Sequence, residues 1–553
     1  MLLNIKKDLM KTTDKLLDLL KNKTKTLKEI SEKEVIKLCK QAFNQGFAGQ
    51  FFCTTNARAR SVPHTVFLSM QDGIKELSPE PDIRDGQIET LKRGKELFEE
   101  VIFFVKRGPL FYQKRAIGIH PRIRSALHLF VGATDKQSIR LLRMADILFP
   151  SPKKKEKFKR EFYLLYLPEF EKPAIFVFPE KHLTVVLGSG YFGELKKGAL
   201  RMLWYEAFSR NILGLHASLK VIETRKKEKI AVVILGLSGT GKTSTVMANQ
   251  VRGGKQKIYQ DDFIGLDIEN LWILGTETGL YLKTEGVTKK DQPAIWQALM
   301  DRNAFWENVF VDKKGYPDFC RYTFTLNGRC VAPREALPKD IVSPSIDLNL
   351  RKVKKLVFVL CSRHNLNPIL QRLTPLQFAV AFALGHTTGT SAGGVAEAGK
   401  EKFVEGTNPF ILRKEGSHSN LFLEGLKRLE KEGIKVECLL LNTGWIGKIW
   451  KEERIIQQGI DITLTMSSRI LEAAFLDKIS WKKHEILKTE IPKNPPKTVP
   501  KEVCDPILAF KKDINFFKRE LQLLNEKKLE VLNSMEVLSD EIKKEGERMF
   551  TLL

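Results

Sequence analysis

Ile230–Thr245 reads IAVVILGLSGTGKTST, an apolar run that empties directly into a glycine-rich turn. Residues Ala231 to Leu235 are too few for a helix and suit a buried strand. The turn runs Gly236, Leu237, Ser238, Gly239, Thr240, Gly241, Lys242, Thr243, the full G-x-x-x-x-G-K-[ST] spacing, with Ser244 continuing into a helix. Each residue type has a task there. Glycines let backbone N–H groups curl around phosphate oxygens, and the helix N-terminus adds partial positive charge. Lys242 reaches the β- and γ-phosphates, and the Thr243 hydroxyl ligates the Mg²⁺ of the nucleotide. The expected class is α/β, and the expected ligand is a nucleoside triphosphate.

At 553 residues the chain exceeds what one hydrophobic core organises, so two large lobes with appendages are expected. No run reaches the roughly eighteen apolar residues of a bilayer span, and the first twenty residues alternate Leu and Ile with Lys and Asp without a signal-peptide core. The expected location is the cytoplasm, with no membrane partner. Seven scattered cysteines without a C-x-x-C pair predict free thiols and no structural zinc. Lysine and arginine, 92, exceed aspartate and glutamate, 66, by 26. The excess is spread over 153–160, 225–229 and both termini with no interleaved aromatic platform, which argues for a solvated basic surface and against a nucleic-acid partner.

In chain order, an N-terminal helix is followed by a second one marked by a Ser31/Glu34 capping box. Arg58, Arg60 and His64 sit in a loop-like stretch that reads either as surface charge or as a carboxylate site. A helix is expected over 82–105 and strands over 173–178 and 183–188, the latter opening into the glycine-rich loop GSGYFGELKKG, 188–198, with Tyr191, Lys196 and Lys197. His216 lies in the strand-like run LGLHASLKV, 213–221, and the acid pair Asp261 and Asp262 follows the phosphate loop. Strand-like runs carry Lys283 and Arg329, and further strands are expected at 356–361 and 436–445. Thr374, Pro375 and Gly385 bracket a helix; beyond it GHTTGTSAGG, 385–394, reads equally as a lid or a linker. A Pro/Lys-rich connector, 492–506, leads to one terminal helix from Ile514 to Leu538.

The ordered set ARARSVP, YFGELKKG, LHAS, GLSGTGKTS, the acid pair, ETGLYLKT, NGRCVAP, RLTPLQ, LNTGW and CDP resembles the ATP-dependent phosphoenolpyruvate carboxykinases over about residues 50 to 510. The resemblance implies a bilobal α/β protein. Its N-terminal mixed α/β lobe would span 49–211 and its phosphate-loop mononucleotide-binding lobe 212–491, flanked by a helical extension, 1–48, and a connector with a C-terminal helix, 492–553. It implies conversion of oxaloacetate and ATP to phosphoenolpyruvate, CO₂ and ADP, in a monomer or small homo-oligomer.

By the same resemblance, Lys197, His216 and Asp262 hold a protein-bound Mn²⁺, while Thr243 serves the Mg²⁺ that travels with ATP. A lysine ligates only as the neutral amine, so Lys197 must be held uncharged. Arg60 and Tyr191 match positions that hold the substrate carboxylate or the departing CO₂, and Arg329 the position between carboxylate and γ-phosphate. Lys242, Ser238, Lys283 and Ser468 complete the nucleotide contacts. The chain departs from the family after NTGW, where GKIWKEERIIQQGIDITLTMSSRI replaces a Gly-Lys-Arg turn, and in the lid. Those departures leave the base specificity open and motivate an alternative, a small-molecule kinase on the same scaffold.

Overall fold

The computed structural model describes residues 2–55, 61–78, 80–248, 250–321, 327–389, 399–451 and 454–551. The chain is a mixed α/β protein that forms two compact units. One comprises Met1–Arg210, Thr276–Pro338 and Phe410–Arg413; the other comprises Asn211–Gly275, Lys339–Pro409 and Lys414–Leu553.

The first unit is built on a six-stranded mixed sheet in the order Thr65–Phe67, Ala174–Phe178, Leu183–Leu187, Glu161–Leu167, Ser125–Gly132, Leu110–Ile117. Strand alternation divides its buried residues between two faces. Phe176, Val185 and Leu165 join a core with Leu9, Leu16, Leu91, Phe98 and Val101 of the helices Leu2–Thr26 and Pro81–Arg107. Gly94 lets those two helices approach, since a Cβ there would meet the Leu9 side chain. On the opposite face the helix Phe192–Phe208 lies against Leu164 and Thr184. A second, five-stranded sheet contains Gly279–Lys283 paired antiparallel with Arg329–Pro333.

The second unit is built on an eight-stranded sheet. Its strands Lys229–Leu235, Lys355–Ser362 and Lys435–Asn442 run parallel and side by side, the first two nearly fully buried and the third mostly so, as their apolar runs predict. The phosphate loop leaves the carboxyl end of the first, where open parallel sheets bind ligands. Ala217–Glu223 pairs antiparallel on one side of that strand.

The capping box at Ser31 and the helix Pro375–Leu384, capped by Thr374 and closed by left-handed Gly385, form as expected. Three expectations need correction. The stretch 188–198 is not a loop throughout: the helix starts at Phe192, so Lys196 and Lys197 are helical. Its two helical glycines are spacers, because a Cβ at Gly193 would collide with the Tyr191 ring and one at Gly198 would crowd Leu164. The connector is not extended throughout, since Lys501–Cys504 and Pro506–Ala509 are helical turns. The terminal helix stops at Ser534, and a second one, Asp540–Phe550, folds back so that both pack on the helix Pro375–Leu384 around Val380, Leu532 and Ile542. Of the lid candidate, 390–394 lie outside the described residues. All seven cysteines are unpaired, and among the described residues no helix is long and apolar enough to cross a membrane.

Candidate active site

The phosphate loop owes its shape to three local devices. Gly239 and Gly241 adopt φ of +86° and +84°, the left-handed region closed to most side chains. Thr240 Oγ1 donates to the Leu237 carbonyl at 2.8 Å, and Thr443 Oγ1 donates to the Thr240 carbonyl at 2.7 Å, tying the loop to the end of Lys435–Asn442, two strands away in the sheet. The helix that follows, Lys242–Met247, buries the Lys242 side chain and aims it at Asp262, with Nζ 2.8 Å from Oδ1. Thr243 Oγ1 donates to Asp261 Oδ2 at 3.4 Å. The acid pair therefore meets Lys242 and Thr243, the two loop side chains expected to handle phosphate and metal.

His216 stands where one strand, Ile212–Leu215, hands over to another, Ala217–Glu223. Its Nδ1 lies 2.8 Å from the Thr407 main-chain carbonyl, which can only accept, so Nδ1 carries the ring proton of the neutral imidazole. Nε2 then presents a lone pair to Asp262 Oδ1 at 3.0 Å. Two acceptors face each other at that distance favourably with a proton or a metal cation between them. A histidine whose far nitrogen donates to a carbonyl is the arrangement metal ligands use, so the pair fits a divalent ion with mixed nitrogen and oxygen preference.

The first unit holds Tyr191, Lys197, Lys283 and Arg329. Tyr191 caps the Phe192–Phe208 helix, its carbonyl accepting from the Tyr166 hydroxyl at 2.9 Å. Lys197 is buried with Nζ 4.7 Å from the centre of the Phe410 ring, and Lys196 forms a buried ion pair with Glu277 at 2.7 Å. Arg329 and Lys283 sit directly opposite each other in their antiparallel pair. Arg329 Nε donates to Asn327 Oδ1 at 2.9 Å, and Lys283 pairs with Glu285 at 2.5 Å. Both Arg329 and Lys196 lie over the Tyr281 ring, at 5.5 and 5.4 Å. Burial pushes the Tyr281 phenol well above its usual range, with Tyr191 beside it adding to the effect, so it stays protonated.

Ser468 is buried in the helix Leu464–Phe475, which packs against the phosphate-loop helix. Arg60 and Arg58 lie outside the described residues. Sequence reasoning missed Thr407, Thr443 and Tyr281. The two threonines act from 191 and 203 residues away, through contacts that no local pattern announces. Tyr281 stands within ETGLYLKT, where only Lys283 drew attention.

A second histidine–carboxylate group has the opposite proton arrangement. Glu401 is contacted by His364 Nε2 at 3.0 Å and, more closely, by His386 Nε2. His364 Nδ1 accepts the Leu366 N–H, so its Nε2 carries the proton and donates to Glu401 where a metal would need a lone pair. Burial pushes His386 down to about 4. A histidine depressed below its unfolded value contributes stability that is full above about 6.5 and lost as pH falls toward 4. Denaturant titrations of the wild type should lose about 3 kcal/mol through this group across that window. His386→Gln, which keeps an amide donor for Glu401, should lose correspondingly less, and equal slopes for the two proteins would refute the assignment.

A sequence model of the phosphoenolpyruvate carboxykinase family matches residues 28–502. The phosphoenolpyruvate carboxykinase (ATP) of Aeropyrum pernix is 34% identical over 326 residues, covering 57% of this chain and 60% of the relative. The enzyme of that name from Neurospora crassa is 28% identical over 366 residues, 63% of this chain and 54% of the relative. That of Caldanaerobacter subterraneus subsp. tengcongensis is 25% identical over 475 residues, 83% of this chain and 85% of the relative. The chain thus spans less than two thirds of the length of the first two of these relatives. With the family match covering most of its residues, the chain belongs to the phosphoenolpyruvate carboxykinase family.

Proposed function

We propose that this chain is an ATP-dependent phosphoenolpyruvate carboxykinase, converting oxaloacetate and ATP to phosphoenolpyruvate, CO₂ and ADP in the cytoplasm, as a monomer or small homo-oligomer. Its proposed architecture is bilobal, an N-terminal mixed α/β lobe with a phosphate-loop mononucleotide-binding lobe of the carboxykinase type. The observation that carries the reading is the convergence on Asp262 of Lys242 from the phosphate loop and of His216 with its proton committed to Thr407.

In this reading the loop amides, Lys242, Thr243, Lys283 and Ser468 hold ATP with its Mg²⁺, and His216, Asp262 and Lys197 hold Mn²⁺. A divalent ion there supplies Lewis-acid stabilisation of negative charge as it develops. Arg60 and Tyr191 orient the oxaloacetate carboxylates so that the breaking C–C bond leaves its electron pair in an enolate and releases CO₂. The enolate oxygen then attacks the γ-phosphorus, the bond to the β-phosphate oxygen breaks, and ADP departs. Lys242 and Arg329 neutralise the charge spread over the transferring group, so positioning and electrostatics suffice and no side-chain nucleophile is needed.

The test is a coupled assay with oxaloacetate, ATP, Mg²⁺ and Mn²⁺, in which phosphoenolpyruvate should accumulate. GTP and pyrophosphate are run in parallel because the base-binding region departs from the family. No phosphoenolpyruvate with any of the three donors sinks the reading.

A further inference from the structure

The run HASLK, 216–220, alternates polar and apolar residues, so His216, Ser218 and Lys220 share one side of the chain. Two of them anchor the candidate site: His216 faces Asp262, and Ser218 Oγ donates to the Asp261 carbonyl. The third, Lys220, is completely buried, and among the described residues it makes no ion pair. Its Nζ donates to the carbonyls of Thr245 at 3.2 Å, Val246 at 3.1 Å and Ala248 at 3.0 Å, and to the Gln250 side-chain oxygen. Gln250 Nε2 in turn donates to the Thr245 carbonyl at 2.6 Å.

These oxygens close the carboxyl end of the phosphate-loop helix, which is only six residues long. A helix leaves its last four carbonyls without internal partners, and glycine in a left-handed turn commonly closes the end. Here the cap residue, Ala248, is extended and is not a left-handed glycine, so the end carbonyls call for a side-chain partner. Lys220 supplies it from the neighbouring strand. Four acceptors and no acid around Nζ demand the three N–H donors of an ammonium, and positive charge at a helix carboxyl end is favourable. Burial acts the other way, pushing the lysine well below its usual range, and the ring of oxygens offsets that cost.

We propose that Lys220 is a positioning residue for nucleotide binding: its ammonium clamps the carboxyl end of the phosphate-loop helix and so holds Lys242 and Thr243, at the other end, against Asp262 and Asp261. The inference rests on the reading that the loop binds nucleotide. In a helix of fewer than two turns, a shift at one end moves the other, because nothing between them can absorb it.

The experiment is calorimetric titration with MgATP, which needs no turnover. Absence of binding by the wild type would refute the nucleotide reading itself. Given wild-type binding, Lys220→Ala and Lys220→Gln should each weaken it about thirtyfold, the equivalent of leaving buried carbonyls unpaired by about 2 kcal/mol. Methylammonium, which fits the space left in Lys220→Ala and brings three N–H donors, should restore most of the affinity. Tetramethylammonium, which has none, should not. Leu219→Ala, a truncation of the adjacent buried residue, is the control for general loosening and should bind nearly as the wild type does. Unchanged affinity in both Lys220 variants, an equal loss in Leu219→Ala, or failure of methylammonium to recover binding overturns the proposal. Loss of the whole fold in both variants, not reversed by methylammonium, overturns it too.

Discussion

Lys242→Met should lower phosphoenolpyruvate formation by about three orders of magnitude in kcat while tightening Mn²⁺ binding to the nucleotide-free protein. The first effect follows from the proposed role of Lys242: an ammonium aimed at the γ-phosphate acts on charge that grows in the transition state, and the loss of one such group costs about 10²- to 10³-fold or more. The second follows from the 2.8 Å contact between Lys242 and Asp262. Both side chains are largely shielded from water, so the lysine cancels much of the field that Asp262 offers an approaching cation. Removing it should raise Mn²⁺ affinity about fivefold. Electron paramagnetic resonance of free Mn²⁺ and a coupled assay read the two quantities separately. Turnover within tenfold of wild type, or weaker Mn²⁺ binding, contradicts the pairing. General unfolding lowers both quantities, so opposite signs mark the electrostatic cause.

The parts of the fold legible in the sequence were those set by short-range physics. The phosphate loop needs an apolar strand, left-handed glycines and a helix start within sixteen residues, and Ile230–Thr245 holds them all. Thr374, Pro375 and Gly385 similarly bracket their helix by local capping chemistry. Local reading failed where packing decided. GSGYFGELKKG looks like a loop because of its glycines, yet Gly193 and Gly198 are there to clear the Tyr191 ring and Leu164 beside a helix. The break after Ser534 was missed because the apolar spacing from Ile514 to Leu538 continues across it, while the chain turns to bring Ile542 and Met549 onto the same core.

The candidate site divides along the same line. Residue types and order pointed to Lys242, His216 and Asp262, but the protonation logic that would make His216 a metal ligand depends on the Thr407 carbonyl, and no periodicity connects positions so far apart. A backbone acceptor leaves no trace in residue identity. The same holds for the contrast with His364, a histidine equally buried beside a carboxylate, whose Nδ1 accepts the Leu366 N–H. Which nitrogen holds the proton separates the two, and only the main chain around each ring decides that.

That difference makes His216 the subject of the second large effect. His216→Ala should weaken Mn²⁺ binding about a hundredfold and cut kcat by about 10³-fold, since the variant loses both a ligand and the fixed orientation of the remaining one. MgATP affinity should stay near wild type, because the loop glycines, Thr240, Thr443 and Lys242 make their contacts without His216. Nitrogen-15 NMR of the histidine side chains tests the cause directly. In the metal-free wild type above pH 7.5, His216 should show a protonated Nδ1 and a bare Nε2, whereas His364 should show the reverse. Diamagnetic Cd²⁺ should then move the His216 Nε2 resonance and leave its Nδ1 proton in place. A proton found on His216 Nε2 would mean that the imidazole simply donates to Asp262 as His364 does to Glu401, and the metal assignment would fall with it. The Lys242 prediction for kcat would survive that outcome, because it rests on the phosphate loop alone. The predicted gain in Mn²⁺ affinity would not, so the two variants together separate a nucleotide site that lacks its second ion from the complete decarboxylating site.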